Sequence, residues 1–355
     1  MKRVLCLPEH NAALRPHATA HIRLLRPLNH KTLAGRVETV STTTNDLTEC
    51  DAALLERFWH PGITVEEAGQ LVDGIRKRCR HFVYTLDDNL LDLGLDAPWR
   101  SPIGDEQRAA VRLFAREADG VIVSTRLLAD RFSRLARRIE IVENALDESL
   151  FRAGESAAEA SRTDVRAVYM GTGTHQGDLL LVVEVLRRVL RRHKGNFQLE
   201  LVGVVADDAV LSLFRDLPVR TIPGFGGLEY PQFAAWWAAN AEWDFGIGPL
   251  CPTRFNNYKS DIKFLDYGFV GIPGIFSDLP PYSGTIVTGE TGLLCGCTPD
   301  EWEESLELMI GNPDLRRHLA QNARLLVERN RILNLRASDW LDAIERICGR
   351  ADERQ

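Results

Sequence analysis

The sequence predicts an α/β protein of two tandem doubly wound domains, each an open parallel sheet, and three observations predict it. Short apolar runs alternate with amphipathic helical patterns along almost the whole chain, as parallel strands joined by crossover helices do. The alternation is interrupted once, by the small polar stretch RAGESAAEASRTD over 152–164, and then restarts. At 355 residues the chain is long for one domain and comfortable for two, each able to bury a core.

Taken in order, the run VLCLP is a strand that stops at the Pro8, Glu9, His10, Asn11 cluster, ahead of a helical pattern through Ile22, Leu24, Leu25 and Leu28. Residues 52–55 and 81–86 read as strands with a helix over 65–78 between them. Val111, Phe114, Ala115 and Ala118 recur at helical spacing, GVIVS follows as a strand, a helix opens at Ser124, and IEIV completes the half. Beyond the linker come RAVYM as a strand, a Gly/Thr loop and a long helix over 178–193. FQLELVG, VRTI, WDFGIG and PGIFS then read as strands separated by helical segments. Helical patterns over 299–310 and 313–328 precede an amphipathic helix starting near Ser338, with Trp340, Leu341, Ile344 and Ile347 on one face. The division expected is a first domain over 1–151, a linker over 152–164, a second domain over 165–330 and a terminal helix over 331–355. Open α/β sheets bind ligands at the carboxyl ends of strands where the strand order reverses, so two such domains place a site in the cleft between them.

Composition narrows the function classes. An apolar fraction of 45% and a charged fraction of 26% are those of a globular protein, and a formal net charge of -7 argues against a nucleic-acid partner. No stretch approaches the roughly 18–20 apolar residues that span a bilayer. The opening MKRVLCLPEHN breaks at Pro8 before a signal-peptide core forms, so a cytosolic location is expected. Cys6, Cys50, Cys79, Cys251, Cys295, Cys297 and Cys348 are scattered. The Cys295-Gly-Cys297 pair has no second pair to complete a zinc site, and buried reduced thiols are the expectation.

The most informative segment is FNNYKSDIKFLDYGFVGIPGIFSD over 255–278. With Ser260 as N-cap, Ile262, Leu265 and Phe269 share a buried helix face, while Lys259, Lys263 and Asp266 follow i, i+4, i+7 spacing on another. Two cations beside a helix N-terminus suit a phosphate, and a carboxylate one turn further in suits ribose hydroxyls. Read alone, the same spacing also describes a solvated amphipathic face. A second segment, YMGTGTHQGDLLLV over 169–182, sets Gly171, Thr172, Gly173, Thr174 and His175 between strand and helix, where backbone can approach an anion; its spacing does not match a dinucleotide fingerprint. In YTLDDNLLDL, Asp87 and Asp88 directly follow a strand and would face the cleft, or serve only as a cap and turn pair. His17, His21, Arg23 and Arg26 lie after the first strand and read individually as surface or capping residues. The basic run over 187–194 reads as a solvated helix end, with contact to anionic lipid as the alternative.

These segments resemble the large family of retaining GT-B glycosyltransferases, in a subgroup with THxxDL and KSxxKxLEYxxxGxPxxxSDxxPY stretches; here the second runs KSDIKFLDYGFVGIPGIFSDLPPY over 259–282. The resemblance covers nearly all the chain, since IVENALDESLF over 141–151 looks like the strand closing the first domain and the terminal helix looks like one that returns to pack on it. It implies the GT-B fold and transfer of a sugar, with retention, from a nucleotide-sugar to a saccharide or lipid-linked acceptor. It also implies no metal and no cofactor, a role in surface polysaccharide or glycolipid assembly, and a cytoplasmic site that can include peripheral contact with the inner membrane face. Lys259 and Lys263 would neutralise the donor diphosphate and Asp266 would hold the ribose. Gly171, Thr172, Gly173, Thr174 and His175 would lie beside the phosphates, with Asn257 and Ser260 flanking the donor. Pro223, Gly224, Phe225 and Tyr230 would contact the base, and Asp87 and Asp88 would stand on the acceptor side. Two departures matter: Asp266 is one methylene shorter than the family's glutamate, and Tyr258 stands where many members have another glutamate. The competing readings are another GT-B enzyme, such as a sugar-nucleotide epimerase or a phosphorylase, and a catalytically silent nucleotide-sugar-binding subunit.

Overall fold

The computed structural model describes residues 1–96, 103–151, 164–204, 208–222 and 229–352. The first sheet holds β1 (Lys2–Leu7), β2 (Val37–Ser41), β3 (Cys50–Glu56), β4 (Cys79–Leu86), β5 (Gly120–Val123) and β6 (Ile139–Ile141). Its order is β2-β1-β3-β4-β5-β6, parallel throughout. The second holds β7 (Val165–Met170), β8 (Phe197–Val202), β9 (Val219–Ile222), β10 (Phe245–Gly248), β11 (Gly274–Ser277) and β12 (Leu293–Cys295). Its order is β12-β11-β10-β7-β8-β9, also parallel. Strand order therefore reverses between β1 and β3 in one sheet and between β7 and β10 in the other, which is where such sheets leave a crevice.

Both faces of each sheet are covered, and this is why the strands read as continuous apolar runs. Leu5, Leu7, Ala53 and Leu55 pack with the helices Val65–Arg78 and Asp105–Glu117 on one face. Val4, Cys6, Ala52, Leu54, Val83 and Ile122 pack on the other with Trp340, Ile344 and Ile347 of the terminal helix Leu333–Asp352. That helix lies so close to β5 that a Cβ on Gly120 would meet Ile347 Cγ1 at 2.7 Å. It starts at Leu333 rather than near Ser338, because Leu333 and Ala337 are also buried, against Leu33 and Ala145.

Several boundaries differ from the sequence reading. The edge strands β2 and β12 were not expected; each is short and the former is half-exposed, with no apolar run to announce it. The helix expected from Ser124 is capped by Thr125, whose Oγ1 accepts from Leu128 N at 3.2 Å, and Ser124 instead donates to the Asp87 carbonyl. The helix expected over 178–193 is broken into Gln176–Leu180 and Val183–Arg192. Apart from Asp164, the 152–164 linker lies outside the described residues, as do Pro223, Gly224 and Phe225. Cys297 is exposed and Cys50 half-buried, so two of the seven free thiols depart from the buried expectation. In the basic run, Arg188, Arg192 and His193 are paired with Glu303 and Glu307 of the helix Pro299–Gly311. Among the described residues no helix is long and apolar enough to cross a membrane.

The two domains are fastened beneath the cleft. Arg331 donates from both terminal nitrogens to Asp261, each at 2.8 Å, and from Nε to the Asn144 carbonyl at 2.9 Å. Both partners of the pair are buried. Asn144 Nδ2 donates to Ser260 Oγ at 2.8 Å, and Leu146 and Leu333 bond backbone to backbone. A buried charge deprived of its partner is strongly destabilising, so Arg331→Ala should cost about 3–5 kcal/mol. Urea unfolding is the check, with Arg331→Ala/Asp261→Asn expected to recover part of the loss because no bare carboxylate remains.

Candidate functional site

The carboxyl ends of the sheets face each other across a cleft of about 330 Å³ whose lining includes Asp87, Asp88, Gly171, Thr172, His175, Tyr230, Lys259, Ser260, Lys263 and Asp266. Residues far apart in sequence meet here because each follows a strand or opens a helix at the cleft side.

The floor of the second-domain wall is the helix Ile262–Phe269. Asp261, not Ser260, occupies its N-cap position and makes no capping bond, since Arg331 and Thr285 take its carboxylate. No side chain therefore caps this end, which leaves its positive pole open to an anion. Lys263 is buried in the first turn, donates to the Met170 carbonyl at the end of β7, and lies 4.8 Å from the Tyr169 ring centroid. Lys259 precedes the helix rather than belonging to it, yet reaches the same cleft.

The loop after β7 closes over these lysines. A Cβ on Gly171 would sit 3.1 Å from His175 Cδ2 and 3.4 Å from Lys263 Nζ, so a larger residue would crowd the imidazole and the ammonium. His175 Nδ1 is held 3.0 Å from Asp178 Oδ2, and Asp178 Oδ1 accepts from Cys251 N and Asn256 Nδ2, both at 2.9 Å. Gly173 and Thr174 form a single 3-10 turn with His175; Thr174 spends its hydroxyl on Thr172 at 2.7 Å, and neither Gly173 nor Thr174 lines the cleft. Asn257, the last residue of the helix Arg254–Asn257, also falls outside it, in a separate crevice with Asp92 and Arg131. Tyr258 packs its ring on the first domain's core instead of facing the cleft.

Across the cleft, Asp87 and Asp88 are not a free cap pair. Arg57 Nη1 lies 3.1 Å from Asp87 Oδ1 and 2.9 Å from Asp88 Oδ2, while its Nε lies 2.7 Å from Glu9 Oε2. Lys259 Nζ of the opposite domain reaches Asp88 Oδ1 at 3.3 Å. Glu9, Glu56 and Arg57 were missed from sequence, though the rule that flagged Asp87 and Asp88, polar residues just past a strand's carboxyl end, points to all three. Positive φ at Arg57 (51°) and Trp59 (66°) marks this turn as strained. His21 and Arg23, read as surface residues, are buried. Arg23 donates to the Val142 carbonyl and to Asn144 and lies 4.4 Å from the Trp340 ring centroid, and Arg26 pairs with Asp147.

Known structures share this fold. A sucrose-phosphate synthase from Thermosynechococcus elongatus superposes with a TM-score of 0.67 at 12% identity, over 98% of this chain and 99% of its own. The chain has the GT-B fold. HepE of Anabaena, in complex with UDP-glucose, gives a TM-score of 0.66 at 14% identity over 97% of this chain and 100% of its own. A glycosyltransferase from Rickettsia africae gives 0.63 at 13% identity over 98% of both chains. No protein-family model matches the sequence, and no curated protein matches it.

Burial sets the electrostatics of this GT-B cleft. It brings Lys263 down to about 8 against the pull of Asp178 and Asp266, with Lys259 adding to the fall. It brings Asp266 up to about 7, against Lys263 and the Tyr230 hydroxyl, and takes His175 down to about 4 despite its bond to Asp178. Burial also raises Asp87, helped by Asp88. For Asp88 the same burial is outweighed by Lys259 and Arg57, which hold it well below the usual carboxylate range. Glu56, buried beside Glu9, rises to about 8.

A buried lysine whose pKa is lowered to about 8 costs the folded state stability wherever it is charged. That cost is complete below about pH 8 and shrinks as pH rises towards the ordinary lysine value, where the unfolded chain also loses its proton. Lys263→Met, close in length and uncharged, should therefore raise the nucleotide-free Tm by about 1–3 °C at pH 7, and by less at pH 9.5. Scanning calorimetry at the two pH values tests both sign and trend.

Proposed function

We propose that the chain is a glycosyltransferase that takes its sugar from a nucleotide-sugar bound by the second domain and passes it, with retention, to an acceptor hydroxyl presented from the first. One observation carries this reading: Lys259 and Lys263 converge with an uncapped helix N-terminus beneath Gly171, in the cleft between the two sheets. Such a cluster neutralises a diphosphate as it leaves, which is where charge develops in glycosyl transfer from a nucleotide-sugar. Two of the similar structures support the donor class, since HepE is in complex with UDP-glucose and TarM with UDP. The acceptor is proposed as a saccharide, free or lipid-linked, and the site as needing no metal because the lysines and helix supply the positive charge. Retention is supported by the state of Asp88: a carboxylate already holding two cations is a weak base, which leaves the donor's own phosphate to take the acceptor proton.

Thermal shift with UDP, GDP, ADP and dTDP, without added metal, tests the donor site. At 100 times Kd a nucleotide stabilises by about 2.7 kcal/mol. At least one should shift wild type clearly and leave Lys263→Met unmoved; no shift from any of the four would sink the lysine assignment. Turnover of the matching nucleotide-sugar only when acceptor is present would set a transferase apart from an epimerase, and binding without turnover would mark a silent subunit.

Asp87 favours a second reading, inversion. It is buried, lines the cleft and has its carboxyl raised, as suits a general base for an acceptor hydroxyl. NMR of the product anomer decides between them. If configuration is retained, Asp87→Asn should mainly raise the acceptor KM; if it is inverted, kcat should fall by roughly 100-fold or more.

A further inference from the structure

The two domains also meet along a second space. A crevice of about 460 Å³ lies on their seam, lined by Asp92 and Arg131 of the first domain and by Arg254, Asn257 and Tyr258 of the second. Two contacts between the domains involve its residues: Thr125 Oγ1 donates to the Tyr258 carbonyl at 3.4 Å, and Arg254 N donates to Asp96 Oδ2 at 2.6 Å. Lys259 and Asp88, paired across the domains at 3.3 Å, line the cleft and not the crevice, so the two spaces are distinct.

The polar groups of the crevice are only partly used. Asp92 is spent, since Oδ2 accepts from Asn89 Nδ2 at 2.7 Å and Oδ1 from Arg131 Nη2 at 3.1 Å. Burial would raise its carboxyl, but Arg131 and Asn89, with Arg254 acting through space, bring it below its ordinary value. The same bonds pin Arg131 through Nε and Nη2 and leave its Nη1 without a partner among the described residues. The exposed Arg254 guanidinium has no hydrogen bond or ion pair among them either, its one bond being made by the backbone. Asn257 Oδ1 is buried and unpaired, which is costly for an amide oxygen.

Two arginines against one paired aspartate give the crevice a positive balance, in a chain whose formal net charge is -7. Planar guanidinium groups match the paired oxygens of a phosphate or carboxylate. Asn257 Oδ1 needs a donor, which a hydroxyl supplies. Leu127 and Pro280 add apolar surface, and the volume lies in the range of small-molecule pockets, larger than a bare anion needs.

We infer that the crevice is a second ligand site, for a small anionic sugar whose phosphate or carboxylate lies on Arg131 and Arg254 and one of whose hydroxyl groups donates to Asn257. An occupant would bridge the two domains beside Lys259 without entering the donor site, so the inference stands apart from the donor reading.

Isothermal titration with glucose 6-phosphate, glucuronate, inorganic phosphate and glucose tests it, on wild type, Arg254→Ala, Asn257→Ala and Lys263→Met. At least one of the two sugar anions should bind wild type about tenfold or more tighter than glucose does. Arg254→Ala should weaken that binding by about tenfold or more, and Asn257→Ala by about threefold. Lys263→Met should change it by less than about twofold, and an unchanged melting temperature of Arg254→Ala would report that the variant is folded. No binding of either sugar anion by wild type, or binding that survives Arg254→Ala, overturns the site. Loss of binding in Lys263→Met alone overturns it too, by placing the sugar in the cleft. Inorganic phosphate binding as tightly as the sugar anions, with Asn257→Ala without effect, would mean an adventitious ion only.

Discussion

The cleft depends on Asp88, which receives one cation from each domain. Arg57 approaches it from the end of β3 and Lys259 from the segment ahead of the second domain's helix, so the carboxylate joins the two walls of the cleft. Its neighbourhood is crowded with like charge: Glu9, Glu56 and Asp87 all act on Arg57, and Lys259 and Lys263 repel each other across the same space. An isolated buried carboxylate would protonate; between two cations it stays charged and low in pKa. The strained backbone follows from the same constraint. Arg57 holds three carboxylates from a positive-φ backbone, and the Tyr84 hydroxyl donates to its carbonyl at 2.9 Å.

Much of the architecture was legible because parallel sheets covered on both faces leave an unmistakable trace. Strands such as β1 and β7 are apolar at nearly every position, and their helices are amphipathic. What escaped was the edge. β2 is an edge strand, half-exposed, and mixes valine with threonine, serine and glutamate, so its membership in the sheet is decided by pairing with β1 and not by its own pattern.

The site divides along a similar line. Gly171 and His175 follow the end of β7, Lys259, Lys263 and Asp266 flank or open one helix at a recognisable spacing, and the structure brings them to one cleft. Gly173, Thr174 and Asn257, which the resemblance also set beside the donor, do not line this cleft, and Asn257 lines a separate crevice. Arg57 and Glu9 were overlooked for the converse reason. Each follows a strand end, as Asp87 and Asp88 do, but single polar residues there are common, and their meaning comes from Asp87 and Asp88, about 30 residues or more away, with which they share one network.

The same burial that would make the cleft effective works against the fold. Lys263, Asp266 and His175 each have the charged form penalised by desolvation. The chain offsets it next door, where Asp261, adjacent in sequence to the same helix, is fully satisfied by Arg331 and Thr285. Lys259 is the exception within the cleft, because its charge already has a partner in Asp88. On the proposed reading a diphosphate must compete for that lysine, so donor affinity is a difference between two ion pairs, not the strength of one. The competition also connects the two walls: phosphate drawing Lys259 away leaves Asp88 with Arg57 alone, a better acceptor for a hydroxyl arriving from the first domain than it was before the donor bound.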